Sequence, residues 1–261
     1  MTEALALSSR DNAWFKDLRK LAHDNTHYRS ARSVWIEGEH LCQAARKRGL
    51  EPVSLVCAQA AWDEAVVQQW IGERTKVFIL TQRLFAELSL LGSPAGFGMV
   101  LALDLSLSLR PDAPTVVLDQ VQDAGNVGSI LRSAAAFGFT QVLALKGSAA
   151  LWSPKVVRAA MGAHFSLHLL ESLDPARIGE LKIPLYATDP HGGESLASCN
   201  LIRPCAWLFG HEGQGLGPAM RARASQTVRI EQPGGEESLN VAACAAICLH
   251  ASLVQGGRLG A

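Results

Sequence analysis

The feature that most constrains this chain is a repeated alternation of short apolar, β-branched runs with helix-patterned segments. Such alternation predicts an α/β fold, because a strand buried on both faces needs helices to cover it and a crossover to reach a parallel neighbour. In the first part DNAWFKDLRKLAH predicts a helix and SVWIEG a short strand. GEHLCQAARKRG (helix), PVSLVCA (strand), WDEAVVQQWIG (helix), KVFIL (strand), TQRLFAELSLL (helix) and FGMVLAL (strand) follow. Thr81 stands where a helix would be capped, and Gly49 and Gly92 where helices would stop. Residues 12–102 therefore read as one α/β domain with a largely parallel sheet. The segment DLSLSLRPDAP loses the pattern and carries two prolines, which makes residues 103–113 the linker.

The second domain, 114–258, restarts with TVVLDQV, a run suited to a buried parallel strand. A helix from about Val127 to Phe137 ends at Gly138. QVLALKG (strand), SPKVVRAAMGA (helix, Ser153 capping and Pro154 in the first turn), FSLHLL, IPLYATD, CAWLFG and TVRIEQ (strands) come next. The chain closes with LNVAACAAICLHASLV, a long apolar helix stopped by Gly256-Gly257.

Composition serves mainly to exclude. With 48% hydrophobic and 18% charged residues the chain can bury a core and is neither disordered nor fibrous. No apolar run approaches the roughly 20 residues that cross a bilayer, and the start lacks the pattern of a signal peptide, so no membrane association and a cytoplasmic location are expected. Net charge is zero. Between Lys16 and Arg48, however, eight basic residues stand against four acids, an excess that fits a phosphate-facing surface and a solvated helix face equally well. The six cysteines form no CxxC pair and mostly sit in apolar surroundings, so they read as structural, and no metal is expected. His23 and His27, four apart, lack the carboxylate or thiol support of a metal site.

Ligands of α/β sheets bind in the loops at strand ends, and three such loops stand out in the second domain. In LDQVQDAGNVGSILRSAAAFG a buried strand ends in a polar turn, Asn126 stands at the mouth of a helix and Arg132 lies about two turns in. A helix cap with a surface arginine would look the same. WLFGHEGQGLGPAM places Gly210, Gly213, Gly215 and Gly217 between a strand and a proline-started helix, with Glu212 among them. Neither G-x-G-x-x-G nor the P-loop pattern is satisfied, and His211-Glu212 lacks the second histidine of H-E-x-x-H. In VRIEQPGGEESLNVAACAAICLHA, Ser238 and Asn240 introduce the most apolar helix, where Ser238 has the place of a cap. Asn240 there needs hydrogen-bond partners, since an unpaired buried amide costs roughly 1–3 kcal/mol.

Taken in this order, the three loops resemble the three sequence motifs of the SpoU-type (TrmH-like) RNA 2′-O-ribose methyltransferases of the SPOUT superfamily. Asn126 and Arg132 match the first motif, Glu212-Gly213 the second and Ser238-Leu239-Asn240 the third, over roughly residues 114 to 256. One departure is visible: Ile230 is followed by Glu231 where the family often has Ile-Pro. The resemblance implies a C-terminal knotted methyltransferase domain with a mostly parallel sheet, preceded by a small α/β (ribosomal-protein-L30e-like) substrate-binding domain. It also implies a homodimer acting on RNA, with S-adenosylmethionine as methyl donor. Catalytic roles fall to Asn126, Arg132, Glu212, Ser238 and Asn240. Donor binding falls to Gly210, Glu212, Gly213, Gly215, Ile230, Ser238 and Leu239. Arg158 is a candidate RNA contact; His164, His168 and His191 read as structural or surface histidines. The different-class alternative is a non-catalytic RNA-binding or assembly protein on the same fold, against which the retained motif residues weigh.

Overall fold

The computed structural model describes residues 4–62, 70, 75–190, 192–234 and 238–256. The chain divides into two compact units, Met1–Leu105 with Trp152–Phe165, and Ser106–Leu151 with Ser166–Ala261.

In the first unit β1 (Ala4–Leu7), β2 (Ser33–Glu37), β3 (Ser54–Ala58), β4 (Lys76–Leu80) and β5 (Phe97–Ala102) form a sheet in the order β1-β4-β3-β5-β2. β4 runs parallel to β1 and β3, but β5 is antiparallel to both β3 and β2. The sheet is thus mixed, which corrects the largely parallel one expected from the alternation. An apolar run such as FGMVLA has the same period whichever way it is read, so its direction is invisible in sequence. α1 (Ala13–His23) starts where Asn12 Oδ1 accepts from Phe15 N and buries Phe15, Leu18, Leu21 and Ala22, one helical stripe. α2 (Tyr28–Ala31), α3 (Glu39–Lys47) and α4 (Gln59–Trp62) follow, and most of WDEAVVQQWIG lies outside the described residues. α5 is short, Gln82–Ala86, with Thr81 Oγ1 capping it as expected; Gly92 falls in the loop beyond rather than at a helix end.

The second unit carries a seven-stranded sheet among the described residues, in the order β10-β12-β9-β11-β6-β7-β8. Its strands are β6 (Thr115–Leu118), β7 (Gln141–Leu145), β8 (His168–Leu173), β9 (Leu185–Thr188), β10 (Glu194–Ser195), β11 (Ala206–Phe209) and β12 (Gln226–Arg229). All its pairs are parallel, and every residue of β6, β7 and β11 is buried, as a strand covered on both faces requires. Val117, Leu143, Leu208, Ala187 and Ile178 share one side of the core. α6 (Ala124–Ala136) begins three residues earlier than its apolar pattern suggests, because Asp123 rather than Asn126 caps it.

α7 (Pro154–Ala160) continues the chain but belongs to the first unit, where Val157 enters the core with Val34, Ile36 and Leu41. Ser153 occupies its N-cap position without making a side-chain capping bond, so proline at the first turn starts this helix unaided by the expected hydroxyl. Arg158 Nη1 donates to the Leu90 carbonyl at 2.8 Å, a contact within the same unit. α8 (Pro218–Arg221) and α9 (Val241–Gly256) complete the second unit. Buried Trp207 Nε1 donates to Ser252 Oγ at 2.8 Å, tying α9 to β11. No helix among the described residues is long and apolar enough to cross a membrane.

Candidate active site

β11 lies beside β6 with Phe209 opposite Leu118, so the loops that follow these parallel strands leave the sheet next to one another. β7 and β8 extend the sheet on one side of β6, while β11, β9, β12 and β10 extend it on the other. This is a topological switch point, where the crevice of an open α/β sheet forms.

Each loop is held by its own backbone chemistry. After β6, Asp119 is only 6% exposed and its Oδ2 accepts from Gly217 N at 3.1 Å, anchoring the far end of the second loop to the first strand. Asp123 Oδ1 accepts from Asn126 N at 2.8 Å and starts α6. After β11, His211 and Gly215 exchange backbone hydrogen bonds of 3.0 and 2.8 Å, folding the glycine-rich segment into a tight turn. Gly210 is required by that turn: a Cβ there would stand 2.2 Å from the Gly215 carbonyl carbon. Gly215 adopts φ +67°, which favours glycine. Before α9, Asn240 Oδ1 accepts from Ala242 N and Ala243 N at 2.9 and 3.3 Å. The capping expected of Ser238 therefore falls to Asn240; Ser238 and Leu239 are exposed.

The three loops meet through side chains. Glu212 accepts from Gln122 N (3.3 Å), Asp123 N (3.1 Å) and Asn126 Nδ2 (3.1 Å). Asn126 Oδ1 in turn accepts from Asn240 Nδ2 at 3.0 Å. The direction of this chain is fixed chemically. A carboxylate only accepts, so the Asn126 amide nitrogen faces Glu212; Asn240 Oδ1 is committed to backbone donors, so its nitrogen is the end left to donate. Burial acts to raise the Glu212 carboxyl. Bonds from its own backbone N–H, Asn126 and the N–H groups of Asp123 and Gln122 outweigh burial and hold it below the usual glutamate value.

A depressed carboxylate contributes stability above its unfolded value and loses it as pH falls through the folded one. Comparing urea unfolding of the wild type and Glu212→Gln should therefore show a wild-type advantage at neutral pH. That advantage should disappear in acid, below the ordinary glutamate range near about 4.3. An advantage independent of pH would mean that the charge of Glu212 is not what these donors hold.

Arg132 stands on the same helix as Asn126, exposed, with no hydrogen bond or ion pair to a described residue. Ile230 lies apart from this chain of bonds, lining an open groove of about 390 Å³ with Leu196, Glu231, His250 and Val254. Of the histidines weighed in sequence, His164 is 2% exposed, His168 Nε2 bonds the Ser108 carbonyl, and His191 lies outside the described residues. His23 and His27 are engaged separately, with the Glu87 carbonyl and with Asp17. Burial lifts the Cys42 and Cys57 thiols to about 12, which suits buried, unreactive side chains. Sequence reasoning misses Asp119, Asp123 and His211 as the groups that hold the loops. Their signal is their place, at the end of a strand, the start of a helix and the start of a glycine turn.

The sequence profile of the SpoU rRNA Methylase family matches residues 113–250, the region that carries all three loops. The chain belongs to the SpoU rRNA methylase family. This SpoU-family chain is 27% identical over 247 residues to the 23S rRNA (guanosine(2553)-2'-O)-methyltransferase RlmP of Bacillus subtilis, spanning 94% of this chain and 97% of the relative. Among solved structures it resembles the SpoU methyltransferase AviRb from Streptomyces viridochromogenes, crystallised in complex with AdoMet. The TM-score there is 0.84 at 26% identity, over 94% of this chain and 98% of that one. A crystallised RNA 2'-O ribose methyltransferase matches at 30% identity with a TM-score of 0.79, over 98% of this chain and all (100%) of the other. The α/β fold with its mostly parallel sheet is that of SpoU methyltransferases.

Proposed function

We propose that this protein transfers a methyl group from S-adenosylmethionine to a ribose 2′-hydroxyl of structured RNA, ribosomal RNA in preference to transfer RNA. The observation that carries this reading is the Glu212–Asn126–Asn240 chain, which joins the three motif loops at the switch point of the sheet. It is supported by the relative from Bacillus subtilis, itself a 23S rRNA 2'-O-methyltransferase along nearly the whole chain.

The residues present fit the donor. Gly213 and Gly215 put no side chain on the turn, where a Cβ at Gly215 would meet nothing within 4 Å, and Leu239, 39% exposed, offers an apolar surface from the third motif. Gly210, Gly213, Gly215, Ser238, Leu239 and Ile230 would hold it, with Glu212 fixing the loop. When bound, the donor supplies an electrophilic methyl group. The chain's own residues must then place the ribose oxygen in line and stabilise the charge that grows on it as its proton leaves.

Arg132 is suited to that charge. A guanidinium carries only donors and no acceptor, so Arg132 does not take the hydroxyl proton; its uncommitted fork donates to the developing alkoxide or to the adjoining phosphate. Glu212, saturated by donors and held low, is a poor base as well. The proton passes to solvent. Asn126, Ser238 and Asn240 orient the ribose and Arg132.

The reading extends to a homodimer, with exposed Ile247, Leu253 and Val254 of α9 in the contact, and to a trefoil knot formed by the C-terminal segment. Residues 12–102 serve as the RNA-binding domain, 103–113 as the linker and 114–258 as the catalytic domain, acting in the cytoplasm. Mapping 2′-O-methyl marks in RNA from a strain lacking this protein should show one ribosomal mark missing and restored by the intact gene. If every mark persists, the reading is wrong; a missing transfer-RNA mark would overturn the preference for ribosomal RNA.

A further inference from the structure

The glycine turn that presents Glu212 is closed by a side chain to which the family motifs assign no role. His211 Nδ1 lies 3.0 Å from Gly213 N and 3.3 Å from Gln214 N. Both partners are backbone N–H groups, which only donate, so Nδ1 is the acceptor. In a neutral imidazole one ring nitrogen carries the proton and the other the lone pair. The geometry therefore fixes His211 as the neutral Nε2–H form.

His211 also bonds across the turn through its backbone, to Gly215, so both halves of the residue brace the segment that contains Glu212. At the far end of the segment, Asp119 holds Gly217 N. Between these two anchors Gly213 and Gly215 have no side chains with which to stiffen the loop. With nothing else fixing the Gly213 and Gln214 amides among the described residues, the imidazole lone pair is what orients them.

We propose that His211 is the positioning residue of the glycine-rich loop, its Nδ1 lone pair holding the turn in the form that presents Glu212 to Asn126 and opens the loop backbone to the methyl donor. The proposal rests on the reading of this loop as the donor site. It assigns no contact between His211 and either substrate. One consequence distinguishes it from simple packing. A proton on Nδ1 removes the acceptor and turns it into a donor facing two donors, so the loop loses its brace in acid. The ionisable groups of the surrounding elements include Glu212 in the same turn, Asp119 at the end of β6, Asp123 at the start of α6, Arg132 within α6 and Arg221 on α8.

The discriminating variants are His211→Asn and His211→Ala. Asparagine Oδ1 can accept from backbone N–H groups two and three residues on, as Asn240 does before α9, and it does not protonate at these pH values. Alanine has no acceptor. Calorimetry with S-adenosylmethionine on the full chain, from pH 8 to pH 5.5, should give three patterns. The wild type should weaken as pH falls, His211→Asn should bind nearly as well at pH 8 and stay flat, and His211→Ala should bind roughly ten- to thirtyfold more weakly than the wild type at pH 8, the worth of two ordinary hydrogen bonds, and stay flat, so that the wild type approaches it in acid. Thermal unfolding of each variant checks that the fold is intact. Equal binding and equal pH dependence of wild type and His211→Ala would overturn the proposal.

A second measurement needs no ligand. Long-range ¹H–¹⁵N spectra, with the His211 signal identified by its loss in His211→Asn, should show a protonated Nε2 and a bare Nδ1 at pH 8. A protonated Nδ1 would overturn the proposal whatever the donor result. Absence of any saturable heat in the wild type, with the expected ring form present, would instead count against the donor-site reading and against the loop's role in donor binding.

Discussion

Replacing Arg132 by alanine should lower single-turnover methyl transfer by roughly a hundred- to a thousandfold, the usual size of losing one donor to a developing oxyanion. Donor affinity should stay within about twofold, because an exposed side chain away from the fold's packing rarely costs more than about 0.5 kcal/mol. Arg132→Lys keeps the charge but not the planar fork, and should recover only part of the loss, leaving transfer down by roughly ten- to a hundredfold. The measurement is transfer of labelled methyl from S-adenosylmethionine to RNA at saturating donor, with calorimetry for donor binding. A lysine variant near wild-type rate would mean that a point charge suffices. An alanine variant that binds the donor tenfold more weakly would move Arg132 from the reacting oxygen to the donor.

Arg132 is also a residue whose place is legible in the sequence. A buried strand, a polar turn and an apolar helix stripe locate the first motif, since strand ends and helix starts are written in local periodicity. The same logic places the glycine turn after β11 and Asn240 before α9. What local periodicity lacks is direction and partnership. It does not show that β5 runs against its neighbours, nor that β1, an exposed edge strand reading ALAL, exists at all. Nor does it show that Trp152–Phe165, embedded in the second half of the sequence, packs with the first unit. Along the sequence Asn126 looks like a helix cap; its role depends on Glu212 and Asn240, 86 and 114 residues away, and no window along the chain contains them together. Ser238 has the place of the cap that Asn240 makes, because either residue type serves and only the turn geometry decides.

The second large effect follows from the direction of that chain. Asn126→Asp is nearly isosteric and keeps the oxygen that accepts from Asn240, but it sets a carboxylate oxygen against Glu212 where a donor stood at 3.1 Å. Two carboxylates at that distance do not both stay ionised without cost, so transfer should fall by about a hundredfold at pH 8, and the pair should take up a proton as pH drops. The defect of Asn126→Asp should therefore shrink in acid. Glu212→Gln alone also fails to satisfy the chain: one Glu212 oxygen accepts from Gln122 N and the other from both Asp123 N and Asn126 Nδ2, so a glutamine amide nitrogen faces a donor whichever way it turns. Flipping Asn126 only passes the conflict to Asn240, whose oxygen is held by the α9 backbone. Making both changes removes the conflict between the two side chains. In the double variant the new carboxylate on α6 accepts from the new amide of the glycine turn and from Asn240. The negative charge then sits in the first turn of α6, where the helix dipole favours it, and of the donors around the pair only the Asp123 N–H loses its acceptor. Combining Asn126→Asp with Glu212→Gln should accordingly recover most of the activity and thermal stability that Asn126→Asp loses, an interaction between sites far from additive. Additive losses would mean that Asn126 and Glu212 each meet the substrate independently, and the bond between them would then be a by-product of the site rather than its frame.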